Sequence, residues 1–394
     1  VLEGIRIVEL ATYVAAPGAA GILSDWGAEV IKIESPAGDP WRKFFDSLGT
    51  VAADNPVFEL DNRGKRGIVL DISKPDGLEA VQKLLATADV FLTNIRPGAL
   101  KRAHLDWETL TAANPRLVYC SLTGYGLQGV DVDRAGFDVA AFWSRAGVGS
   151  ITAPKGEDPF PSRTAMGDHV TSISTCAAIL AAVVERNTTG KGRLVETSLL
   201  RTGVYSIGTD MAIQLKMGRL ASTKPRPEAT NPLANFFKTS DGRWICLIPR
   251  QGGLDTPQIL SAAGVPELID DPRFAKARDR RTNGPALVAA LDAAFGSMSF
   301  DQLAERLDKE DIAWAPYQTP REVAEDEQVA AAGCFVEMTA SDGTAFRSPA
   351  SPARFPGYDD TPRSTAPKLG EHTRSVLLEL GYSEDDIKTR FGVA

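Results

Sequence analysis

Few residues in this chain carry obvious chemistry, and one of them is set apart by its position. In Ala165-Met-Gly-Asp-His-Val-Thr-Ser-Ile-Ser-Thr-Cys-Ala-Ala-Ile-Leu-Ala-Ala-Val-Val184 a single carboxylate, Asp168, opens a stretch that turns almost wholly apolar. Aspartate at the mouth of a helix has two uses. As an N-cap it accepts an N–H from the first turn and stabilises the helix by roughly 1 kcal/mol. As a nucleophile it attacks an activated carbonyl and divides one difficult transfer into easier steps. The reciprocal capping box is not available, because the third following residue is Thr171 rather than Glu or Gln. The neighbouring His169 reads as a structural residue.

Other chemistries find little support. A Ser/His/Asp triad has only His104, His169 and His372 to draw on, and no GxSxG accompanies them. A three-histidine metal site would need all three from distant segments, so no metal is expected. Cys120, Cys176, Cys246 and Cys334 lie far apart and form neither a zinc signature nor a disulfide framework. The loop Ala11-Thr-Tyr-Val-Ala-Ala-Pro-Gly-Ala-Ala-Gly21 has glycines without the GxGxxG spacing, and no GxxxxGK[ST] occurs, so neither NAD nor ATP is expected. Two cationic groups remain. Arg63, Lys65 and Arg66 precede one strand-like run, and Arg96, Lys101 and Arg102 follow another. The second group sits where open α/β sheets bind ligands, so it reads either as an anion site or as solvated surface charge.

The elements that must position these groups alternate along the first 125 residues. Strand-like runs at 5–10, 29–34, 67–71, 89–93 and 117–122 are separated by helix-like stretches at 17–26 and 76–88. That pattern predicts an α/β fold, doubly wound, with parallel strands joined by right-handed crossovers. Residues 168–217 read as two long helices around a turn and a short strand. A Ser/Thr/Pro-rich linker begins near Leu220, and 236–248 reads as a hairpin turning at Ser-Asp-Gly. The expected division is 1–220 for a large domain, 221–330 for linker and small domain, and 331–394 for a return to the large one.

The net charge of −8 excludes a general nucleic-acid binder as the first reading. The longest apolar run, Cys176–Val184, is far short of the roughly 20 residues that span a bilayer, so no membrane partner is expected. No charged-then-apolar leader opens the sequence, and a cytoplasmic location is the expectation.

Eight short motifs occur in one order: Gly4-Ile-Arg-Ile-Val-Glu-Leu, Gly27-Ala-Glu-Val-Ile-Lys-Ile-Glu, Asn94-Ile-Arg-Pro-Gly-Ala-Leu, Ser121-Leu-Thr-Gly-Tyr-Gly, Ala135-Gly-Phe-Asp, Gly167-Asp168, Thr189-Gly-Lys-Gly and Leu369-Gly-Glu-His-Thr. From about Leu2 to the C-terminus they resemble the class III CoA-transferase family, the group of formyl-CoA transferase, carnitine CoA-transferase and α-methylacyl-CoA racemase. The resemblance implies a Rossmann-like large domain, a smaller α+β domain and an interlocked homodimer. It implies coenzyme A or acyl-CoA as substrate, with a carboxylic acid as acceptor. Asp168 would attack the thioester, passing through a mixed anhydride and an aspartyl-CoA thioester. Thr12, Tyr13, Val14, Ala15, Leu70, Asn94, Ile95, Ala99 and Arg102 match positions that contact the cofactor. Phe137 and Asp138 would border the acyl group.

Three departures shape what is carried over. Thr12 and Val14 replace a His and a Gln of formyl-CoA transferase, and Ser73, beside Lys74, replaces a lysine. The less polar first loop suggests an acid bulkier or less polar than oxalate. Ala135-Gly-Phe-Asp138 replaces the racemases' Ala-Gly-His-Asp, and Phe137 cannot carry a proton. The transferase branch is therefore expected. An acyl-CoA racemase or epimerase with another base, a non-catalytic acyl-CoA-binding protein and a nicotinamide oxidoreductase stand as alternatives.

Overall fold

Six short aliphatic runs form one sheet: β1 (Arg6–Leu10), β2 (Glu29–Glu34), β3 (Arg66–Val69), β4 (Val90–Thr93), β5 (Val118–Thr123) and β6 (Leu194–Ser198). The computed structural model describes residues 1–44, 54–359 and 361–393. All pairs are parallel, in the order β3-β2-β1-β4-β5-β6. Parallel strands need helices on both faces, so their runs are apolar without strict alternation. Ile7 and Val8, adjacent in β1, show why. Ile7 is buried with the helices Ala15–Asp25 and Met166–Thr189, while Val8 is buried with Pro75–Ala86 and Thr373–Glu379. The order reverses between β1 and β4. The carboxyl ends of these two strands are the switch point at which such sheets bind ligands.

The chain divides into two compact units. The first comprises 1–150, 161–220 and 333–394, and carries the parallel sheet and a hairpin of β10 (Phe335–Thr339) and β11 (Ala345–Pro349). The second comprises 151–160 and 221–332. In it β7 (Asn235–Lys238), β8 (Trp244–Leu247) and β9 (Trp314–Pro316) form an antiparallel sheet. Its core gathers Phe237, Leu247, Leu287, Leu291, Phe295 and Leu303. The β7–β8 connection is the hairpin expected there, with Gly242 in the left-handed region at φ 86°.

The helical stretch after β5 departs from expectation. Met166–Thr189 is one helix of 24 residues ended by left-handed Gly190. The second expected helix is two, Leu199–Ser206 and Gly208–Met217, because Ile207 leaves the helical region at φ −102°, ψ 32°. By length and composition the 24-residue helix is apolar enough to cross a membrane, a property the short Cys176–Val184 run conceals. Here its polar side chains are buried against neighbours: Thr171, Ser172 and Thr175 are inaccessible, and Ser172 Oγ donates to the carbonyl of Ala15 at 2.7 Å.

In the first cationic group Arg66 is half-buried and pairs with Glu29 and Glu379, while the other two are buried ion-pair partners. Arg63 is buried and pairs with Asp25 at 2.7 Å. Lys65 is buried with its Nζ 2.6 Å from Glu9 Oε2, and also donates to the carbonyl of Pro17 and to Asn62. The other Glu9 oxygen holds the buried Lys32 at 2.8 Å, and Lys32 lies 2.9 Å from Asp39 Oδ2, an ion pair rather than an aligned hydrogen bond. Burial disfavours the Glu9 charge, yet Lys32 and Lys65 outweigh it and hold the carboxyl below its usual range. Burial, with Lys32 nearby, brings Lys65 down to about 8, still protonated at neutral pH.

Replacing Glu9 leaves two lysines buried without adequate countercharge, so Glu9→Gln is expected to cost about 3–5 kcal/mol. Because Glu9 titrates low in the fold, its contribution is present above its ordinary value of 4.5 and lost as pH falls through the folded value. Urea unfolding at pH 7 checks this; an unchanged midpoint would rule it out.

Candidate active site

Two loops at the switch point are clasped together. Thr12 N–H donates to Asn94 Oδ1 at 3.1 Å, and Asn94 Nδ2 donates back to the Thr12 carbonyl at 2.7 Å. Thr93 reinforces the clasp by donating to the carbonyl of Leu10 and accepting from Ile95 N–H. Between the clasp and the Ala15–Asp25 helix stands Tyr13, at φ 65°. A non-glycine residue there costs on the order of 1–3 kcal/mol and persists only when its surroundings hold it. Asp39 does the holding. It accepts the Tyr13 N–H at 3.0 Å while paired to buried Lys32. The Tyr13 ring then meets Phe137 edge-on, with centroids 5.4 Å apart, and leans on Trp41 at 6.5 Å.

These loops wall a cavity of about 930 Å³. Thr12, Tyr13, Val14, Ala15, Asn94, Ile95, Ala99, Arg102, Phe137, Asp138 and Asp168 all line it. Leu70 does not; it is 2% exposed in the core beside the Pro75–Ala86 helix. Arg96 lines the cavity and Lys101 does not. Trp41, Arg134, Thr164 and Leu199 join the wall without having been singled out in the sequence. Trp41 had a signal in Asp39-Pro-Trp: Asp39 caps the turn by accepting the Trp41 N–H.

Asp168 is not the helix cap. The cap position is Ala165, at φ 74° with no side-chain bond, and Asp168 is the third residue of the first turn. Its carboxylate makes no hydrogen bond among the described residues; only its backbone carbonyl is engaged, by Ser172. The carboxylate is therefore free to react. Half-buried, it is pushed up to about 7, first by burial and then by the charge of Asp138, with Asp61 adding to the rise and His169 opposing it. The helix dipole alone would favour the anion, but burial among carboxylates wins.

Asp138 is 3% exposed, and neither of its oxygens has a partner of hydrogen-bond geometry. Burial raises it, while the nearby N–H groups of Gly167 and Ala165 favour its charge without aligning on it. Gly167 makes this approach possible: a Cβ there would stand 2.3 Å from Asp138 Oδ1 and 2.4 Å from Phe142. On the other flank, His169 Nε2 lies 3.1 Å from Oδ1 of Asp61, a carboxylate 3% exposed. Asp61 was invisible in the sequence because nothing in Glu59-Leu-Asp distinguishes a buried acid from a surface one.

Residues 2–373 match CoA-transferase family III. The chain is 32% identical over 388 residues to the (R)-2-hydroxy-4-methylpentanoate CoA-transferase of Clostridioides difficile, covering 98% of this chain and 97% of that one. It is likewise 32% identical to the succinyl-CoA:glutarate CoA-transferase of Mus musculus, covering 98% and 88%. Among solved structures, a CaiB/BaiF family protein from Brucella suis superposes with a TM-score of 0.84 at 30% identity, covering 96% and 98%.

A carboxyl titrating far above its ordinary 3.8 weakens the fold wherever the unfolded chain ionises and the folded one resists. Asp168→Asn removes that cost. Its melting temperature is expected to exceed the native protein's at pH 7–8, with the difference vanishing as pH falls toward the ordinary carboxyl value. A lower melting temperature than native at pH 8 would contradict this.

Proposed function

The chain belongs to CoA-transferase family III, and from that premise we propose that it moves CoA from an acyl-CoA to a free monocarboxylic acid through Asp168. The observation that carries the reading is Asp168 itself: a carboxylate without a hydrogen bond among the described residues, at the wall of the cavity that the clasped switch-point loops also line. In the first step its oxygen attacks the thioester carbonyl, the C–S bond breaks and the CoA thiolate leaves, giving a mixed anhydride. The thiolate then attacks the Asp168 acyl carbon, expelling the donor acid and leaving an aspartyl-CoA thioester. The acceptor carboxylate reverses both steps with its own oxygen and departs as the new thioester. No net proton is consumed, and each step has a good leaving group. Free Asp168 is about half ionised near pH 7, so kcat/KM rises with pH through that region.

Arg96, Arg102 and Arg134 line the same cavity, and Arg96 and Arg102 have no ion-pair partner among the described residues. They suit the phosphates of CoA, where a planar guanidinium binds two oxygens at once. The cavity that Asp168 lines also has Tyr13, Val14, Trp41, Phe137 and Leu199 in its wall, with Asp138 as a further anion. That lining favours an acceptor with an aliphatic or aromatic chain over one ending in a second carboxylate. In this it leans toward the 4-methylpentanoate type of relative rather than the glutarate type. Phe137, 54% exposed beside Tyr13, has no proton to exchange, which supports transfer over racemisation.

The first unit's Rossmann-like sheet would hold CoA, and the molecule would act as an interlocked homodimer. Exposed Tyr205, Leu215 and Met217 on the helices Leu199–Ser206 and Gly208–Met217 support a covered face. Sedimentation at working concentration, showing twice the chain mass, tests the dimer.

The protein incubated with an acyl-CoA and equal amounts of 4-methylpentanoate, phenylpropanoate and glutarate is expected to yield thioesters of the first two, read by mass spectrometry. Asp168→Asn should lower the rate by at least about a thousandfold, as loss of a covalent nucleophile does. Retained transfer in that variant ends the Asp168 mechanism, and glutaryl-CoA as the main product ends the apolar-acid reading. Arg102→Ala is expected to raise KM for the CoA ester about tenfold with a smaller change in kcat, the loss of one charge-assisted contact.

A further inference from the structure

The first turn of the Met166–Thr189 helix carries a second group that the transfer steps do not use. His169 follows Asp168 directly, and its ring is fixed from outside the helix by Asp61 of the Pro56–Asn62 helix, Nε2 to Oδ1 3.1 Å. Asp61 is sealed in. Gly18 passes so close that a Cβ on it would lie 3.1 Å from Asp61 Oδ1 and 2.7 Å from Ser172 Oγ, so there is no room for another partner from that side. A carboxylate this buried is costly without a cation, and the His169 ring that touches it is a cation when protonated.

We propose that Asp61 and His169 form a positioning pair, in which the contact with buried Asp61 favours the protonated His169 ring and its charge offsets part of the burial and repulsion that disfavour the Asp168 anion. The inference rests on reading Asp168 as the reacting carboxylate. The surroundings explain why such a device is needed. Asp138, unpaired and buried, faces Asp168 from the turn before Val139–Arg145, and Asp61 adds a more distant negative charge. Against burial and these two, His169 is the group that favours the Asp168 anion. Other elements packed on the helix supply no substitute. The Ala15–Asp25 helix has only Asp25, paired to Arg63; Leu199–Ser206 has only exposed Arg201; Val139–Arg145 has Arg145, paired to Asp131; β6 has Glu196, which accepts from Leu127 N–H; and β5 has no charged residue. Burial pushes the Asp61 carboxyl above its usual range, and His169 first, then Lys65 and Lys32, oppose that rise. In turn Asp61, then Asp168 and Asp138, raise His169 above its ordinary value in spite of its burial.

The test reads protonation directly and needs no substrate. Asp168 is followed by carbon-13 NMR in protein labelled at the aspartate carboxyl carbon, its signal identified as the one lost in Asp168→Asn. In His169→Gln its midpoint is expected to rise on the order of one pH unit, the effect of losing a neighbouring cation. His169→Arg, which keeps the charge, is expected to restore the native midpoint. An Asp168 midpoint unmoved in His169→Gln overturns the proposal, since a merely structural histidine would leave it there. Should that variant fail to fold, linkage supplies the reciprocal measurement. With only three histidines in the chain, the His169 ring proton can be followed in the native protein and in Asp168→Asn, where its midpoint must fall. An unchanged His169 midpoint overturns the proposal equally. If the coupling is found but Asp168→Asn still transfers CoA, the transferase mechanism fails and the pair stands. If Asp168→Asn is inactive and no coupling is found, the pair alone fails.

Discussion

One carboxylate shared between two fully buried lysines underlies the rest of the structure. Glu9 points from the middle of the parallel sheet and binds Lys32 from β2 with one oxygen and Lys65, just before β3, with the other. Such a cluster is expensive to bury and stabilises little in net terms, but it tolerates one geometry only, because any shift strands a charge in a low-dielectric interior. Lys32 also pairs with Asp39, and Asp39 in turn grips the backbone of Tyr13. The charge network therefore reaches the cavity wall, where it keeps a strained tyrosine in place.

The cavity shows a second expense. Asp168, Asp138 and Asp61 act on one another, and among the described residues the first two have no hydrogen-bonded countercharge of their own. Burial and mutual repulsion push Asp168 toward neutrality at the pH where a nucleophile must be ionised. A site built only for stability would have paired these groups. In the proposed mechanism this carboxylate would form and break a covalent bond in each turnover, which requires that it stay free of tight partners, and the fold would carry the cost.

Glycine at position 167 ties the two themes together. It lets Asp138 lie against the first helical turn, two residues from the end of an unusual cap in which Ala165 takes a left-handed conformation. With the cap position taken by Ala165, which makes no side-chain cap bond, the Asp168 carboxylate is not used as the cap. The same sequence position that looks suited to capping is thereby spared from it.

The alternation of apolar runs and amphipathic stretches determined the parallel sheet, because the period of side chains along a strand or helix is a local property that survives in one dimension. Ordered short motifs pointed to the family and to Asp168, and the loops carrying Thr12–Ala15 and Asn94–Arg102 do reach one cavity. Leu70 reads like its neighbours in sequence, yet it turns into the core. Arg63 and Lys65 look like surface cations until Asp25 and Glu9, 38 and 56 residues away, are brought against them. The Asp61–His169 contact spans 108 residues. Burial and the charge that compensates it depend on what long-range folding brings together, and no local pattern encodes that; whether a carboxylate is a cap, a buried counterion or an unpaired group at a cavity wall was decided by the tertiary structure.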